Sequence, residues 1–305
     1  MWTRRRALQA LAGAGLSGAL RPSHAQAPPQ SILTRPIPST GEALPAVGLG
    51  SWITFNVGDD PVARDSCTEV IRNFFAAGGR MIDSSPMYGS SQDTIGYGLR
   101  KAGLSGRVFA ADKVWISSGA EGREQIERSR RKWQVNRFDL VQVHNLLDWQ
   151  EHLPTLLAMK ATGQIRYVGV TTSEGRRHRD IEQIMRSQPL DFVQVTYNPV
   201  DREVEERILP LARDRGIAVI VNRPFRQGAL LRALARQPLP SWSADIDCTS
   251  WAQFVLKFIV SHPAVTCAIP ATTNVSHVRE NVSAASGPLP DAAMRQRMIA
   301  AVERG

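Results

Sequence analysis

Apolar residues along the chain come in short, nearly continuous runs that are separated by stretches of helical periodicity. Most of the eight runs that follow Pro45 are rich in valine, isoleucine and leucine, which is typical of parallel strands buried on both faces. They span residues 46–50, 80–83, 108–113, 139–144, 165–170, 191–197, 217–222 and 266–270.

The spacing of these runs is regular. Four of them begin at residues 139, 165, 191 and 217, so three successive steps are 26 residues each, enough for a strand, a helix and two short loops. Between runs, Ile126–Trp133 is largely charged, as expected of an outer helix. A second such stretch, 203–215, is amphipathic, and one of its faces carries Val204, Ile208, Leu211 and Ala212.

Eight strand–helix units in about 260 residues predict an α/β protein with a closed (β/α)8 TIM barrel. The alternative is an open, doubly wound sheet, which ordinarily carries a glycine-rich nucleotide site at its first strand–helix turn. The chain after residue 27 has no such glycine pattern, so the barrel is favoured. The step from residue 217 to 266 is longer, and Phe225–Thr249 predicts a long loop over the active-site face.

The first 27 residues have the three parts of an export signal. A basic start at residues 4–6 precedes an apolar run, 7–20, that is too short for a comfortable membrane span. Small residues then offer cleavage after Ala25 or Ala27. We therefore expect a signal peptide at 1–27, a barrel domain at 28–305 and no membrane span after cleavage.

Paired arginines, Arg4 and Arg5, make this segment resemble the bacterial twin-arginine signal, whose pathway exports folded proteins. The resemblance implies that the twin-arginine export machinery is a partner and that the protein is periplasmic. The ordinary signal for unfolded export is the alternative.

Charge and cysteine content argue against nucleic-acid binding, a cysteine metal site and a disulfide framework. The net charge is +9, and the four arginines of residues 1–27 have no acidic counterpart, which leaves +5 for the rest. This surplus suits phosphorylated ligands, or it is simply a solvated surface. It does not indicate nucleic-acid binding, because no cluster of basic residues follows a recognisable reading helix. The three cysteines have neither metal-ligand spacing nor a disulfide pattern, so we expect free thiols.

Polar side chains with matching chemistry end or follow three neighbouring runs. Asp83 ends the second run, with Tyr88 five residues later, Lys113 ends the third, and His144 ends the fourth. In a barrel these positions share one rim, where catalytic groups lie. Reduction of a carbonyl by hydride requires a proton donor for the oxygen, and a nearby ammonium lowers the pKa of a tyrosine. Tyr88 would donate, Lys113 would assist, Asp83 would hold Lys113, and His144 would orient the substrate oxygen.

Each of these residues has an ordinary structural interpretation when it is taken alone. A carboxylate after a strand often caps a helix, a tyrosine often packs, a lysine is usually solvated and a histidine is often a satisfied core residue. Their joint occurrence at successive strand ends favours catalysis.

The segment 83–91, D-S-S-P-M-Y-G-S-S, resembles the D-x-A-x-x-Y-G-x-S motif of the aldo-keto reductase superfamily. The resemblance continues through 163–170, 194–198 and 269–281. It implies that Asp83, Tyr88, Lys113 and His144 form the catalytic tetrad of that family. It also implies an NADPH cofactor, with NADH as the less common option.

The resemblance further implies which residues bind the cofactor. Gln194 would hold the nicotinamide carboxamide, and Asn222 stands where the family usually has a stacking aromatic residue. Arg223 would stack its guanidinium or meet the pyrophosphate. The complete set comprises Thr171, Thr172, Gln194, Asn222, Arg223, Thr272, Thr273, His277 and Asn281, and the last four of these would grip the adenosine end.

Large side chains near the same rim predict an apolar substrate wall, although they could equally be loop anchors. They are Trp52, Met87, Trp115, Leu146, Trp149 and Phe225. The leading function is therefore NADPH-dependent reduction of an aldehyde or ketone. The alternative is a cofactor-binding or redox-sensing barrel with little turnover. A barrel hydrolase would need a metal cluster or paired carboxylates at the rim, and the sequence offers neither, so we expect no metal.

Overall fold

The computed structural model describes residues 32–304, in which a short antiparallel hairpin precedes a sheet of eight parallel strands. The hairpin consists of β1 (Thr34–Pro36) and β2 (Ala43–Pro45). The strands of the sheet are β3 (Leu49–Gly50), β4 (Met81–Asp83), β5 (Phe109–Val114), β6 (Phe138–Val143), β7 (Ile165–Thr171), β8 (Phe192–Thr196), β9 (Ala218–Asn222) and β10 (Cys267–Ala268).

The sheet closes on itself. Neighbouring strands pair in chain order from β3 to β10, and parallel bridges join Val47 to Ala268 and Gly50 to Ala271. Each of the eight predicted runs overlaps one strand of the sheet, and the predicted (β/α)8 barrel is confirmed. The strands form where the sequence is rich in β-branched residues because such side chains fit a pleated surface that is buried on both faces.

Helices alternate with the strands along the chain. They are α1 (Pro61–Ala76), α2 (Ser91–Ala102), α3 (Gly119–Trp133), α4 (Trp149–Ala161), α5 (His178–Ser187), α6 (Ile208–Arg215), α7 (Ala229–Leu234), α8 (Trp251–Val260), α9 (Val275–Ser283) and α10 (Ala292–Glu303). Between residues 32 and 304, no helix combines the length and apolarity that a bilayer crossing needs.

Local chemistry explains where these helices begin. Asp60 caps α1, because its Oδ1 accepts hydrogen bonds from the backbone amides of Val62 (2.8 Å) and Ala63 (3.2 Å), and Pro61 occupies the first turn. The predicted outer helix at 126–133 lies within α3, and the apolar face predicted in 203–215 is buried, although a 3₁₀ turn at Glu203–Glu205 precedes α6.

The hairpin closes the end of the barrel at which the strands begin. Ile37 and Leu44 are fully buried in a cluster that includes Phe109 and Phe192, the first residues of β5 and β8. The hydroxyl of Tyr167 donates to Glu42 Oε2 (2.8 Å) and thereby ties the hairpin to β7. The opposite end, where the strands finish, is therefore the end at which a ligand can enter.

The segment after β9 differs from the predicted long loop. Residues 225–249 contain 3₁₀ turns at Arg226–Gly228 and Ser241–Ile246 as well as the short helix α7. The physical reason is an apolar pair one helical turn apart, Leu230 and Leu234, which are both buried.

Candidate active site

A cavity of about 660 Å³ opens at the carboxyl ends of the strands, a volume within the usual range for cofactor and substrate sites. Asp83 is the last residue of β4, Tyr88 follows that strand, Lys113 is the penultimate residue of β5, and His144 follows β6. Because β4, β5 and β6 are neighbours in the sheet, these four side chains meet at one rim. Three of them line the cavity, and Lys113 lies beneath it.

Asp83 and Lys113 form a buried ion pair. Lys113 Nζ lies 2.5 Å from Asp83 Oδ2 and donates a second hydrogen bond to the carbonyl of Ser84 (2.8 Å). Burial alone would lower the pKa of Lys113, but the attraction and hydrogen bond of Asp83, together with its other neighbours, raise it overall. The ammonium therefore stays charged at neutral pH.

Tyr88 lies against this ammonium, with Lys113 Nζ 5.3 Å from the centre of the phenol ring. Burial raises the pKa of Tyr88, and the positive charge of Lys113 offsets only part of that rise. The ammonium of Lys113 thus lowers the pKa of Tyr88 as expected, but burial outweighs it and the pKa is raised overall. The hydroxyl therefore holds its proton at neutral pH.

His144 is the third group at this rim. Its ring meets that of Tyr88 edge to face, with 5.7 Å between the centres, and its Nδ1 lies 2.7 Å from the hydroxyl oxygen of Ser85. Burial and the nearby Lys113 ammonium lower the pKa of His144 to about 2. The imidazole is therefore neutral in the folded protein across the physiological range of pH.

A polar network connects the tetrad to the opposite side of the barrel. Gln194 Nε2 donates to Asp83 Oδ1 (2.9 Å), and Gln194 Oε1 accepts from Thr171 (3.2 Å) and from Asn222 Nδ2 (3.4 Å). Asn222 also donates to the carbonyl of Thr172 (2.8 Å). The residue that replaces the expected aromatic is thus held in hydrogen bonds along the barrel rim.

Residues assigned to the cofactor by resemblance line the cavity from the tetrad outwards, with two exceptions. The lining members are Thr171, Gln194, Asn222, Arg223, Thr272, His277 and Asn281. Thr273 is exposed outside the lining, and Thr172 is buried behind it.

The donor set along this cavity fits a dinucleotide. Amide and hydroxyl groups lie beside the tetrad, and Arg223 and Arg176 belong to the same lining. The lining near α9 consists of Thr272, His277, Glu280 and Asn281. The hydroxyl oxygen of Thr172 is buried without a hydrogen-bond partner among the described residues. Because Thr172 lies behind the cavity lining, the fit to a dinucleotide rests on the amide, hydroxyl and guanidinium groups of the lining itself.

Arg223 is held by an acidic residue from the neighbouring loop. Glu174, which follows β7, accepts from Arg223 Nη1 (2.8 Å) and pairs with Arg176 Nη2 (2.9 Å). Glu174 therefore neutralises part of the positive charge with which these two guanidinium groups would attract a diphosphate.

The apolar wall contains only part of the predicted set. Trp52, Met87 and Phe225 line the cavity, and the structure adds Leu231 of α7 and Trp251 of α8.

The remaining three predicted wall residues lie outside the cavity lining. Leu146 is buried in the hydrophobic core, Trp149 begins α4 and packs against that core, and Trp115 is 40% exposed. The backbone amide of Trp115 donates to Gln125 Oε1 (2.7 Å), which fixes the chain beside α3.

Sequence reasoning missed Ser85, Glu174 and the α7–α8 part of the wall. One signal for Ser85 was available, because the family motif quoted above has alanine at that position. Glu174 and Trp251 carried no comparable signal, since their roles depend on how separate loops meet.

Comparisons with known proteins agree with this geometry. The sequence profile described as "Aldo/keto reductase family" matches residues 46–300. The chain is 27% identical over 248 residues to methylglyoxal reductase YeaE of Escherichia coli, covering 79% of this chain and 85% of that protein. It is 25% identical over 334 residues to the NADH-specific methylglyoxal reductase of the same organism, covering 88% and 99%.

Among solved structures, an aldo/keto reductase from Klebsiella pneumoniae in complex with NADP and acetate has the same fold. The TM-score is 0.72 at 25% identity, and the match covers 85% of this chain and 91% of that one.

The lowered pKa of His144 predicts a pH-dependent loss of stability. As pH falls below about 6.5, the unfolded chain binds a proton at this histidine, whereas the folded protein, with a pKa of about 2, does not. Folding should therefore lose about 2 kcal/mol through this residue between pH 7 and pH 5. Urea unfolding of the wild type and of His144→Gln at both pH values measures the difference. Equal losses in the two proteins would contradict the assignment.

Proposed function

The chain belongs to the aldo/keto reductase family and is an NAD(P)H-dependent oxidoreductase, and from this premise we propose that it reduces an aldehyde or ketone with NADPH, using Tyr88 as proton donor. The observation that carries the proposal is the position of Tyr88 on the cavity wall, beside the buried Lys113–Asp83 pair. When bound, NADPH supplies the hydride that the carbonyl carbon accepts. Gln194, Thr171 and the groups along the cavity would hold it.

Proton delivery rests on the charge beneath the tyrosine. As the carbonyl oxygen gains negative charge, the hydroxyl of Tyr88 gives up its proton, and the phenolate that remains is stabilised by the ammonium of Lys113. Asp83 keeps that ammonium charged and fixed 2.5 Å away. The buried pair thus lowers the free-energy barrier to proton transfer from Tyr88.

Orientation of the substrate oxygen falls to His144. The neutral imidazole borders the same cavity as Tyr88, and its ring stands edge to face against the phenol. A carbonyl oxygen placed between them can accept hydrogen bonds from both side chains. Two donors aimed at one oxygen stabilise the charge that develops there.

The apolar wall indicates the class of substrate. Trp52, Met87, Phe225, Leu231 and Trp251 surround the part of the cavity that is not lined by polar groups. Such a surface favours aldehydes and ketones with apolar or ring-bearing substituents. Because two relatives are named as methylglyoxal reductases, this small dicarbonyl should be tested as a substrate alongside them.

We also propose that residues 1–27 are a twin-arginine signal peptide and that the barrel domain, 28–305, is exported to the periplasm already folded. The support is the sequence pattern and a physical requirement, since a dinucleotide site is filled where the dinucleotide is abundant. Cys67, Cys248 and Cys267 are free and buried, which suits folding in a reducing compartment.

Substitution Tyr88→Phe should abolish most carbonyl reduction because it removes the proposed proton donor. The ring remains, so the shape of the cavity should be kept. We expect a fall in kcat of roughly 10²–10⁴-fold with nearly unchanged NADPH binding, measured by NADPH oxidation and by fluorescence titration. Lys113→Met should be similarly damaging, and the double variant little worse than either, because residues that act as a unit are not additive. A Tyr88→Phe enzyme with wild-type turnover would refute the role. NADPH binding without turnover of any carbonyl in the wild type would favour a sensor.

Cofactor preference should favour NADPH modestly. Thr272 and His277 line the cavity end at which the resemblance places the 2′-phosphate, and an imidazole discriminates less than the guanidinium of an arginine would. We expect His277→Ala to weaken NADPH binding about three- to tenfold, the size of one hydrogen bond, and to leave NADH binding unchanged. Fluorescence titrations with both cofactors measure this. Equal wild-type affinities for the two would overturn the preference.

Export should depend on the paired arginines. The double variant Arg4→Lys with Arg5→Lys should leave the uncleaved precursor in the cytoplasm, because the twin-arginine machinery reads both guanidinium groups. Cell fractionation and immunoblotting of the tagged protein would show the distribution, with Arg21→Lys as a matched control outside the pair. Periplasmic protein from the double variant, or cytoplasmic residence of the wild type, would rule out this route.

A further inference from the structure

We propose that Ser85 is a positioning residue that sets the tautomer of His144, by donating its hydroxyl hydrogen to Nδ1 so that the imidazole keeps its proton on Nε2. The two atoms lie 2.7 Å apart, Ser85 is fully buried, and His144 is 5% exposed. The interaction therefore takes place away from bulk water, where a hydrogen bond of fixed direction persists.

The direction of this hydrogen bond follows from the other partner of Ser85. The backbone amide of Met87 already donates to the serine oxygen (3.2 Å). Among the described residues, Nδ1 of His144 is the remaining side-chain partner of that hydroxyl. If Nδ1 carried the proton and donated it, the serine hydrogen would be left unpaired in the interior, which is unfavourable. Donation from Ser85 to Nδ1 satisfies both groups.

Neutrality of the imidazole makes the choice of tautomer decisive. Burial and the positive charge of Lys113 lower the pKa of His144 to about 2, so the ring carries one proton and not two. Nε2 makes no hydrogen bond to any residue between 32 and 304, and the ring borders the cavity. Nε2 is thus the nitrogen that a ligand in the cavity meets.

The tautomer decides what His144 offers to a substrate. With the proton on Nε2 the ring donates to a carbonyl oxygen, whereas the other tautomer presents a lone pair to that oxygen and repels it. This consequence for catalysis rests on the proposed function, but the tautomer itself does not. The family motif quoted above has alanine at the position of Ser85, so the motif itself does not supply this hydroxyl.

Histidine tautomers can be read directly by long-range ¹H–¹⁵N NMR on the full-length, ¹⁵N-histidine-labelled protein without substrate. The chain has six histidines, and His144→Gln identifies the signal of His144 by its loss. We expect the wild type to show the Nε2–H form, Ser85→Ala to show a mixture or the Nδ1–H form, and Ser85→Thr to restore Nε2–H through its hydroxyl.

The matched control is Ser84→Ala. Ser84 is the adjacent serine, it is equally buried, and its hydroxyl oxygen has no hydrogen-bond partner among the described residues. This variant should therefore keep the wild-type tautomer of His144. Thermal unfolding of each variant shows that the barrel is intact before the spectra are compared.

Kinetics give a second measurement. Ser85→Ala should lower kcat/KM for the preferred carbonyl about three- to tenfold, the effect of one weakened hydrogen bond, with unchanged NADPH affinity, and Ser85→Thr should recover it. An Nδ1–H form in the wild type, or an undisturbed Nε2–H form in Ser85→Ala, would overturn the proposal. A wild type in the Nε2–H form that reduces no carbonyl would leave Ser85 in its role and refute the proposed function instead.

Discussion

The buried ion pair between Lys113 and Asp83 constrains how the strands are arranged at the end of the barrel where they finish. Two charges taken out of water are tolerated only when each is fully hydrogen-bonded, and removal of one partner typically costs about 3–5 kcal/mol. The carboxylate is satisfied on one oxygen by Lys113 and on the other by Gln194, at 2.9 Å, and Gln142, at 3.4 Å. Strands β4, β5, β6 and β8 must therefore be aligned so that these four side chains lie at the same level of the barrel.

From this pair the polar groups extend in two directions. One leads through Tyr88 to His144 and Ser85, where the proposed mechanism has the proton donor and the substrate oxygen. The other leads through Gln194 to Asn222 and the loops that follow β7 and β9. Both paths begin at the carboxylate of Asp83, which bonds to Lys113 on one oxygen and to Gln194 on the other, so the two sides of the cavity share one buried charge.

The barrel and the four rim residues could be predicted from sequence because they depend on local patterns. Runs such as 165–170 are buried on both faces, and a residue at the end of a parallel strand lies at one known edge. The contacts of Asn222 could not be predicted, since they join residues 28 and 50 positions apart and depend on how the barrel turns. Trp115 and Trp149 show a related difficulty, because the backbone beyond a strand decides whether a side chain faces the cavity.

Closure of the barrel has a consequence for how the protein is made. The bridge from Val47 to Ala268 joins residues that are 268 − 47 = 221 positions apart. At a synthesis rate of about 5–20 residues per second, the first part of the barrel waits roughly 10–45 s before its last neighbour exists. Throughout that interval the edge of β3 lacks its second partner, and an unpaired strand edge invites wrong pairing. The ribosome, and not the intrinsic speed of strand pairing, therefore sets the earliest moment at which this chain can complete its fold.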